Sequence, residues 1–182
     1  MDLPTGPRLT PRTGQRGATD PSDGGSSNAG ADTGRGNGRA VLLARGICRH
    51  LASLGYSTLT EFRVGKGRRV DVIGLNRDQR FVIVEIKTSV ADFRSDGKWP
   101  DYLPWCDTYY FAVPGDFPQD ILPDDQGILV ADAWEAAVIR EASELPMNGT
   151  RRRTQVLKFA LAAGQRLQQH LDPAPSQRWG GR

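Results

Sequence analysis

The chain has two cysteines and two histidines in 182 residues, too few for most of the chemistry those side chains carry. Cys48 and Cys106 cannot build a disulfide framework and read as reduced thiols of a cytosolic protein. Cys48, His50 and His170 form no zinc spacing, so these three are assigned to packing and surface. No apolar run approaches the ~20 residues that cross a bilayer. The N-terminal "MDLPTGPRLTPRTG" lacks the apolar h-region of a secretory leader, so the sequon at Asn148 is expected to stay unmodified. Large apolar residues are nearly missing from residues 1–38, which read as a disordered tail because they cannot bury enough surface to offset chain entropy. Four Arg and four Asp cancel within that tail, which argues against a DNA-binding arm.

What is present begins with charge. The net charge of +3 hides an uneven distribution. Residues 39–105 carry 12 Lys/Arg against 7 Asp/Glu, residues 116–144 carry 8 acids and one Arg, and residues 145–182 carry 7 basic residues and one acid. Basic flanks suit a polyanionic partner, although solvated surface is the commoner meaning of such charge.

Periodicity organises the middle. In "RAVLLARGICRHLASLGY", Val41, Ala44, Ile47, Cys48, Leu51 and Leu54 recur at helical spacing. Three strand-like runs follow, 58–64, 68–75 and 80–87, separated by "GKG" and "NRDQ" as hairpin turns. The GxG of "GKGRR" lies in a hairpin rather than at a strand-to-helix turn, so it is not a phosphate loop. A helical stretch opening at Thr88 or Ser89 is broken by Pro100 and Pro104. "DTYYFAVP" and "GILVAD" read as strands, "WEAAVIRE" as strand or helix, and 154–171 as a final amphipathic helix. The order implies α/β layers around a mixed sheet flanked by helices.

Three charges interrupt this apolar pattern, namely Asp71, Glu85 and Lys87. A hairpin centred on Lys66 sets Glu61 opposite Asp71, and one centred on Asp78 sets Asp71 opposite Glu85. The same register brings Arg63, Arg69 and Lys87 into a row beside the acids. The even positions Phe62, Val64, Val70, Val72, Val82, Val84 and Ile86 are apolar and are expected to pack on a helix. Leu59, Ile73, Leu75, Phe81 and Ile83 make the odd face core-like until it reaches the charges. Each adjacent carboxylate pair, at ~5 Å and an effective dielectric near 20, repels by roughly 3 kcal/mol. A hard cation such as Mg²⁺ or Mn²⁺ relieves that repulsion, and Mg²⁺ is commonly held by one or two carboxylates plus substrate phosphate. The lysine could orient or deprotonate a water, or stabilise phosphate charge. A solvated meander balanced by neighbouring Arg and Lys is the plainer alternative.

An acid on the second strand and Glu85-Ile86-Lys87 on the third, between two helices, resembles the PD-(D/E)XK nuclease superfamily. More specifically, "LTEFRV", "GRRVDVIGL", "FVIVEIKTSVADFRSDGKWPDY", "CDTYYFAVP" and "GILVADAWEAAVIREA" resemble the MmcB family of bacterial DNA repair proteins, regarded as endonucleases of that superfamily. The resemblance spans about residues 39–142. It implies a restriction-endonuclease-like αβββαβ core over 39–145, then a basic linker and C-terminal helix over 146–172 packing on that domain, with a flexible end at 173–182. It further implies Mg²⁺- or Mn²⁺-dependent cleavage of branched, nicked or damaged DNA in the bacterial cytosol or nucleoid, with other repair proteins as further partners. Asp71 and Glu85 would be metal ligands, the Ile86 carbonyl a third, and Lys87 catalytic. Superfamily members often carry an acid on the first helix; this helix has none, and Glu61 is the expected substitute. A nuclease-fold module that binds DNA or a repair partner without cutting is the alternative from another class.

Around the motif, Asp92, Asp96, Lys98 and Tyr102 follow on a helix bordering the site. Lys98 and Tyr102, four apart, are candidates for one phosphate, with Arg63 and Arg69 as further DNA contacts. Trp99 and Trp105 are assigned to core anchoring over base stacking. Arg151, Arg152 and Arg153 read as phosphate contacts or a solvated linker.

Overall fold

A computed structural model describes residues 32–65 and 67–173. The expected disordered segments therefore lie outside it apart from 32–38 and Pro173, as does Lys66, the expected centre of the first turn. The first helix, α1, runs Asp32–Ser53, starting seven residues before the Arg39 suggested by apolar periodicity. Its apolar stripe of Leu43, Ile47 and Leu51 is fully buried, and that packing outweighs the ~1 kcal/mol per glycine charged by Gly34, Gly36 and Gly38. Gly46 lets α1 settle onto the chain between the last two strands. A Cβ there would overlap the carbonyl oxygens of Asp132 and Glu135.

Six strands form one sheet in sequence order: β1 (Ser57–Val64), β2 (Arg68–Leu75), β3 (Phe81–Ile86), β4 (Thr108–Val113), β5 (Gly127–Ala131) and β6 (Ala136–Arg140). The first three make an antiparallel meander, β3–β4 and β4–β5 are parallel, and β6 returns antiparallel. "WEAAVIRE" thus supplies a strand. Between β3 and β4 lie α2 (Val90–Ser95) and a 3-10 helix (Trp99–Trp105); the break comes at 96–98, ahead of Pro100 and Pro104, which both sit inside the 3-10 helix. The last helix, α3, spans Gly149–Leu171. The mixed sheet flanked by helices is the α/β fold expected from the element order.

Residues 151–153, expected as linker, are the first turns of α3. Asn148 caps the helix, its side chain accepting from the N–H groups of Thr150 and Arg151, so the chain turns helical five residues early. Arg152 then forks onto Asp107 at 2.7 and 2.6 Å, while Asp107 also accepts from the Phe81 N–H at 2.7 Å. Arg151 lies over the Trp105 ring, 4.8 Å from its centroid. Trp99 packs on Tyr109 and Phe111, which is core anchoring as assigned.

Two cores sandwich the sheet. Val72, Val82, Val84 and Ile86 pack with Tyr110, Leu129 and α1. Ile73, Phe81, Ile83, Tyr109 and Phe111 face α2, the 3-10 helix and Phe159 of α3. Phe62, Val64 and Val70 depart from the simple alternation: they belong to the second core, with Phe62 against Phe159 at 5.9 Å, and not to the α1 side. The reversal is at Glu61, whose φ of 52° is left-handed. The register holds on both sides of it, Thr60 facing Val72 and Phe62 facing Val70, but Glu61 and Asp71 themselves are not a ladder pair. Side chains beyond that point change faces. Arg166 of α3 reaches the carbonyls of Thr60 and Glu61 at 2.7 and 3.4 Å, supplying donors where the ladder is interrupted.

Candidate active site

The reversal builds the site. Paired register between β2 and β3 ends at Val72–Val84. Beyond it the Ile86 N–H is accepted by Asp71 Oδ2 at 2.7 Å, so an acid side chain takes a bond that a strand backbone would otherwise supply. This fixes Asp71 against the Glu85–Ile86 segment and leaves its other carboxylate oxygen for a ligand. Glu85 and Lys87 stay on the odd face of β3 and are buried under α2 and the 3-10 helix, at 6% and 3% exposure. Lys87 lies one residue past β3, and its N–H extends the parallel ladder to the Ala112 carbonyl at 2.9 Å.

Lys87 Nζ lies 3.4 Å from Glu85 Oε1 and 2.5 Å from Asp96 Oδ2. Glu85 Oε2 is buried without a hydrogen-bond partner, and so is the Tyr109 hydroxyl. These orphans share one neighbourhood, since Glu85 and Asp96 both act on Tyr109 and push its hydroxyl well above the usual range after burial has done most of the raising. Burial, reinforced by the Asp71 charge, raises the Glu85 carboxyl to about 8 in spite of Lys87. Burial also raises Asp71, against the Ile86 N–H and Lys87, with Glu61 and Asp92 adding to the rise. For Lys87, burial pulls downward, but the Asp96 hydrogen bond and the charges of Glu85, Asp96 and Asp92 outweigh it, so its proton is held more tightly than an ordinary lysine's.

The other expected residues are placed differently. Glu61 is half exposed and paired with Arg69 at 2.6 Å, so it acts on Asp71 through its charge and not as a converging ligand. Among the described residues no three Asp, Glu, His or Cys side chains converge to hold a metal. Arg63 and Arg69 face each other in register and are exposed, but they do not line up with Lys87. Past Glu61 the odd positions of β1 and β2 point away from the face that holds Lys87, which is why the expected row is broken. Lys98 is exposed at the head of the 3-10 helix, while Tyr102 is buried and its hydroxyl donates to the Arg69 carbonyl at 3.3 Å. Asp92 serves the start of α2, taking the Thr88 N–H, and its own N–H donates to Ser89 Oγ. Asp96, read from sequence only as a residue bordering the site, is the nearest partner of Lys87. No motif spacing announces it, since it arrives through the turn after α2.

The donor set suits a hard cation better than a soft one. Two carboxylates, one of them with an unsatisfied buried oxygen, fit Mg²⁺ or Mn²⁺ with waters and phosphate completing the shell, and among the described residues no thiolate or imidazole joins them for zinc.

Comparison with known proteins agrees with this architecture. The solved structure of a protein of unknown function from Silicibacter pomeroyi is 41% identical, with 80% of this chain and 97% of that chain covered, and superposes with a TM-score of 0.72. No curated protein matches at a significant level. Among the described residues no helix is long and apolar enough to cross a membrane. The family model of the MmcB-like DNA repair proteins matches residues 27–174, most of the sequence, and the chain belongs to that family.

Proposed function

We propose that this DNA repair protein is a divalent-metal-dependent deoxyribonuclease that hydrolyses phosphodiester bonds at Asp71, Glu85 and Lys87. The observation that carries the reading is the buried, unpartnered oxygen of Glu85 beside a second carboxylate. A buried carboxylate oxygen with no donor is costly unless a ligand completes it. Asp71, Glu85 and the Ile86 carbonyl would hold Mg²⁺ or Mn²⁺, which when bound supplies positive charge against the phosphate and a more acidic water.

The chain's own residues do the rest. Asp71 and Glu85 set where the phosphate sits relative to β3. Lys87 keeps its proton, so it serves as a fixed charge against the scissile phosphate and not as the base. Exposed Lys98 is available to the DNA backbone, whereas Arg63 and Arg69 are turned to the other face and buried Tyr102 supports the wall of the site. The largest electrostatic influences on Asp71, Glu85 and Lys87 come from one another and from Glu61, Asp92 and Asp96.

A second reading has one observation in its favour: Lys87 is 3% exposed and already neutralised by two acids. A module that binds branched or damaged DNA without cutting would tolerate that closure. Incubating the protein with single-stranded, nicked, flapped, branched and damaged DNA in Mg²⁺ or Mn²⁺ separates the two. Metal-dependent cleavage of at least one substrate is expected; binding with no cleavage on any of them would leave the binding module as the account.

A further inference from the structure

We infer that Asp96 is the positioning residue of Lys87, holding its ammonium beside Glu85 so that one N–H remains for substrate. The inference rests on the nuclease reading for its catalytic consequence, but not for the contact itself. A lysine ammonium has three donors on a flexible four-carbon stem. Here one approaches Glu85 Oε1 at 3.4 Å, too long to fix it alone, and a second meets Asp96 Oδ2 at 2.5 Å. The other oxygen of Asp96 accepts the Lys98 N–H at 2.9 Å, so the carboxylate is itself held from both sides.

Asp96 is in turn tied to the sheet. It ends α2, donating its N–H to the Phe93 carbonyl at 3.2 Å, and Phe93 packs edge-on against Phe111 of β4 at 5.6 Å. At the other end of α2 the Ser89–Asp92 cap fastens the helix to the residue after Lys87. The chain therefore leaves β3 at Lys87, makes one short helix, and returns a carboxylate to the same lysine nine residues later. A counter-ion alone needs only proximity. This one has Oδ1 held by the Lys98 N–H and its backbone on a helix end fastened to the sheet, so Oδ2 is fixed independently of the lysine, as a positioning role requires.

The test uses the full chain with Asp96→Ala, Asp96→Asn and Asp96→Glu, each checked for an unchanged fold by circular dichroism and thermal unfolding. Reductive methylation with formaldehyde, read by peptide mass spectrometry, should leave Lys87 nearly unmodified in wild type while exposed Lys98 and Lys158 react. Lys87 labelling should rise at least ~10-fold in Asp96→Ala, which removes both contacts, and less in Asp96→Asn, which keeps the volume. Cleavage by Asp96→Ala should fall ~10-fold or more in kcat with KM for DNA within about two-fold, and Asp96→Glu should recover part of it. Unchanged Lys87 labelling in both Asp96→Ala and Asp96→Asn overturns the inference. So does raised labelling with wild-type kcat, which would make Asp96 a counter-ion only. If wild type cuts no DNA, the nuclease reading falls, and labelling still decides whether Asp96 holds Lys87.

Discussion

Replacing Glu85 with Gln should make the metal-free protein more stable at neutral and alkaline pH, with the gain growing as pH rises. Glu85 has an ordinary value of 4.5 and is raised to about 8 in the fold, chiefly by burial and then by Asp71. Between those values the folded state keeps a proton that the unfolded chain has released, so the wild type loses stability as pH climbs through the window. Each unit corresponds to about 1.4 kcal/mol, and two units, from pH 5.5 to 7.5, to ~2.7 kcal/mol. Asp71 and Lys87 share the titration, so on the order of 2 kcal/mol is the expected widening between variant and wild type. Gln keeps the shape, cannot ionise, and is free of this slope. For a folded body of roughly 140 residues the widening amounts to about 6 °C in Tm. Thermal unfolding in EDTA from pH 5 to 9 measures it, and the gap should stop widening near pH 8, where Glu85 ionises in the fold too. Parallel Tm curves for the two proteins across that range would show that Glu85 titrates as an exposed acid, and the buried-carboxylate argument for the site would fail.

Metal linkage gives a second expectation. A tenfold excess of Mg²⁺ or Mn²⁺ over its dissociation constant should stabilise wild type by ~1.4 kcal/mol, visible as a few degrees in a thermal shift. Asp71→Asn and Glu85→Gln should lose that response while folded, and a full response in both would place the metal elsewhere. Lys87→Ala should cut DNA at least ~100-fold more slowly, about 2.7 kcal/mol of barrier, while binding it within a few-fold in a gel-shift assay; equal cleavage rates would remove Lys87 from the chemistry. Arg152→Ala should cost ~3–5 kcal/mol in urea unfolding because it leaves the buried Asp107 carboxylate unpaired. A loss below ~1 kcal/mol would mean that Asp107 regains water.

Strand register was legible because the turns were. Centring the hairpins at Lys66 and Asp78 aligns Ser57 with Leu75 and Leu75 with Phe81, and both pairs occur. The burial of Glu85 and Lys87 also follows from their place in an apolar strand. The side of the sheet was another matter. Alternation carries from residue to residue only while the backbone stays extended, and Glu61 leaves it at a conformational cost on the order of 1 kcal/mol that no local residue advertises. What compensates lies far along the chain, in Arg166 on the Thr60 and Glu61 carbonyls and in Phe159 against Phe62. The Asp107–Arg152 pair, 45 residues apart, is equally invisible to periodicity. The start of α3 could have been found, since Asn148 followed by Gly and Thr is a cap signal as well as a sequon.

The reversal also bears on the chemistry. With strict alternation Asp71 would stand opposite Glu85 and Glu61 opposite Asp71, three carboxylates in line on one open face. With the strand turned at Glu61, that residue goes to Arg69 and Asp71 is drawn onto the Ile86 N–H. Two acids then remain at the edge of a buried lysine, with one oxygen unsatisfied. A pair of carboxylates with a single orphaned oxygen offers ligands to one hard cation, and among the described residues no separate acid cluster is present for a second. On the proposed nuclease reading, cleavage with one metal is the expected chemistry. A metal titration of cleavage rate should rise with a Hill coefficient near one; a coefficient approaching two would require a ligand brought in from outside the three-residue site, with Glu61 released from Arg69 as the first residue to test.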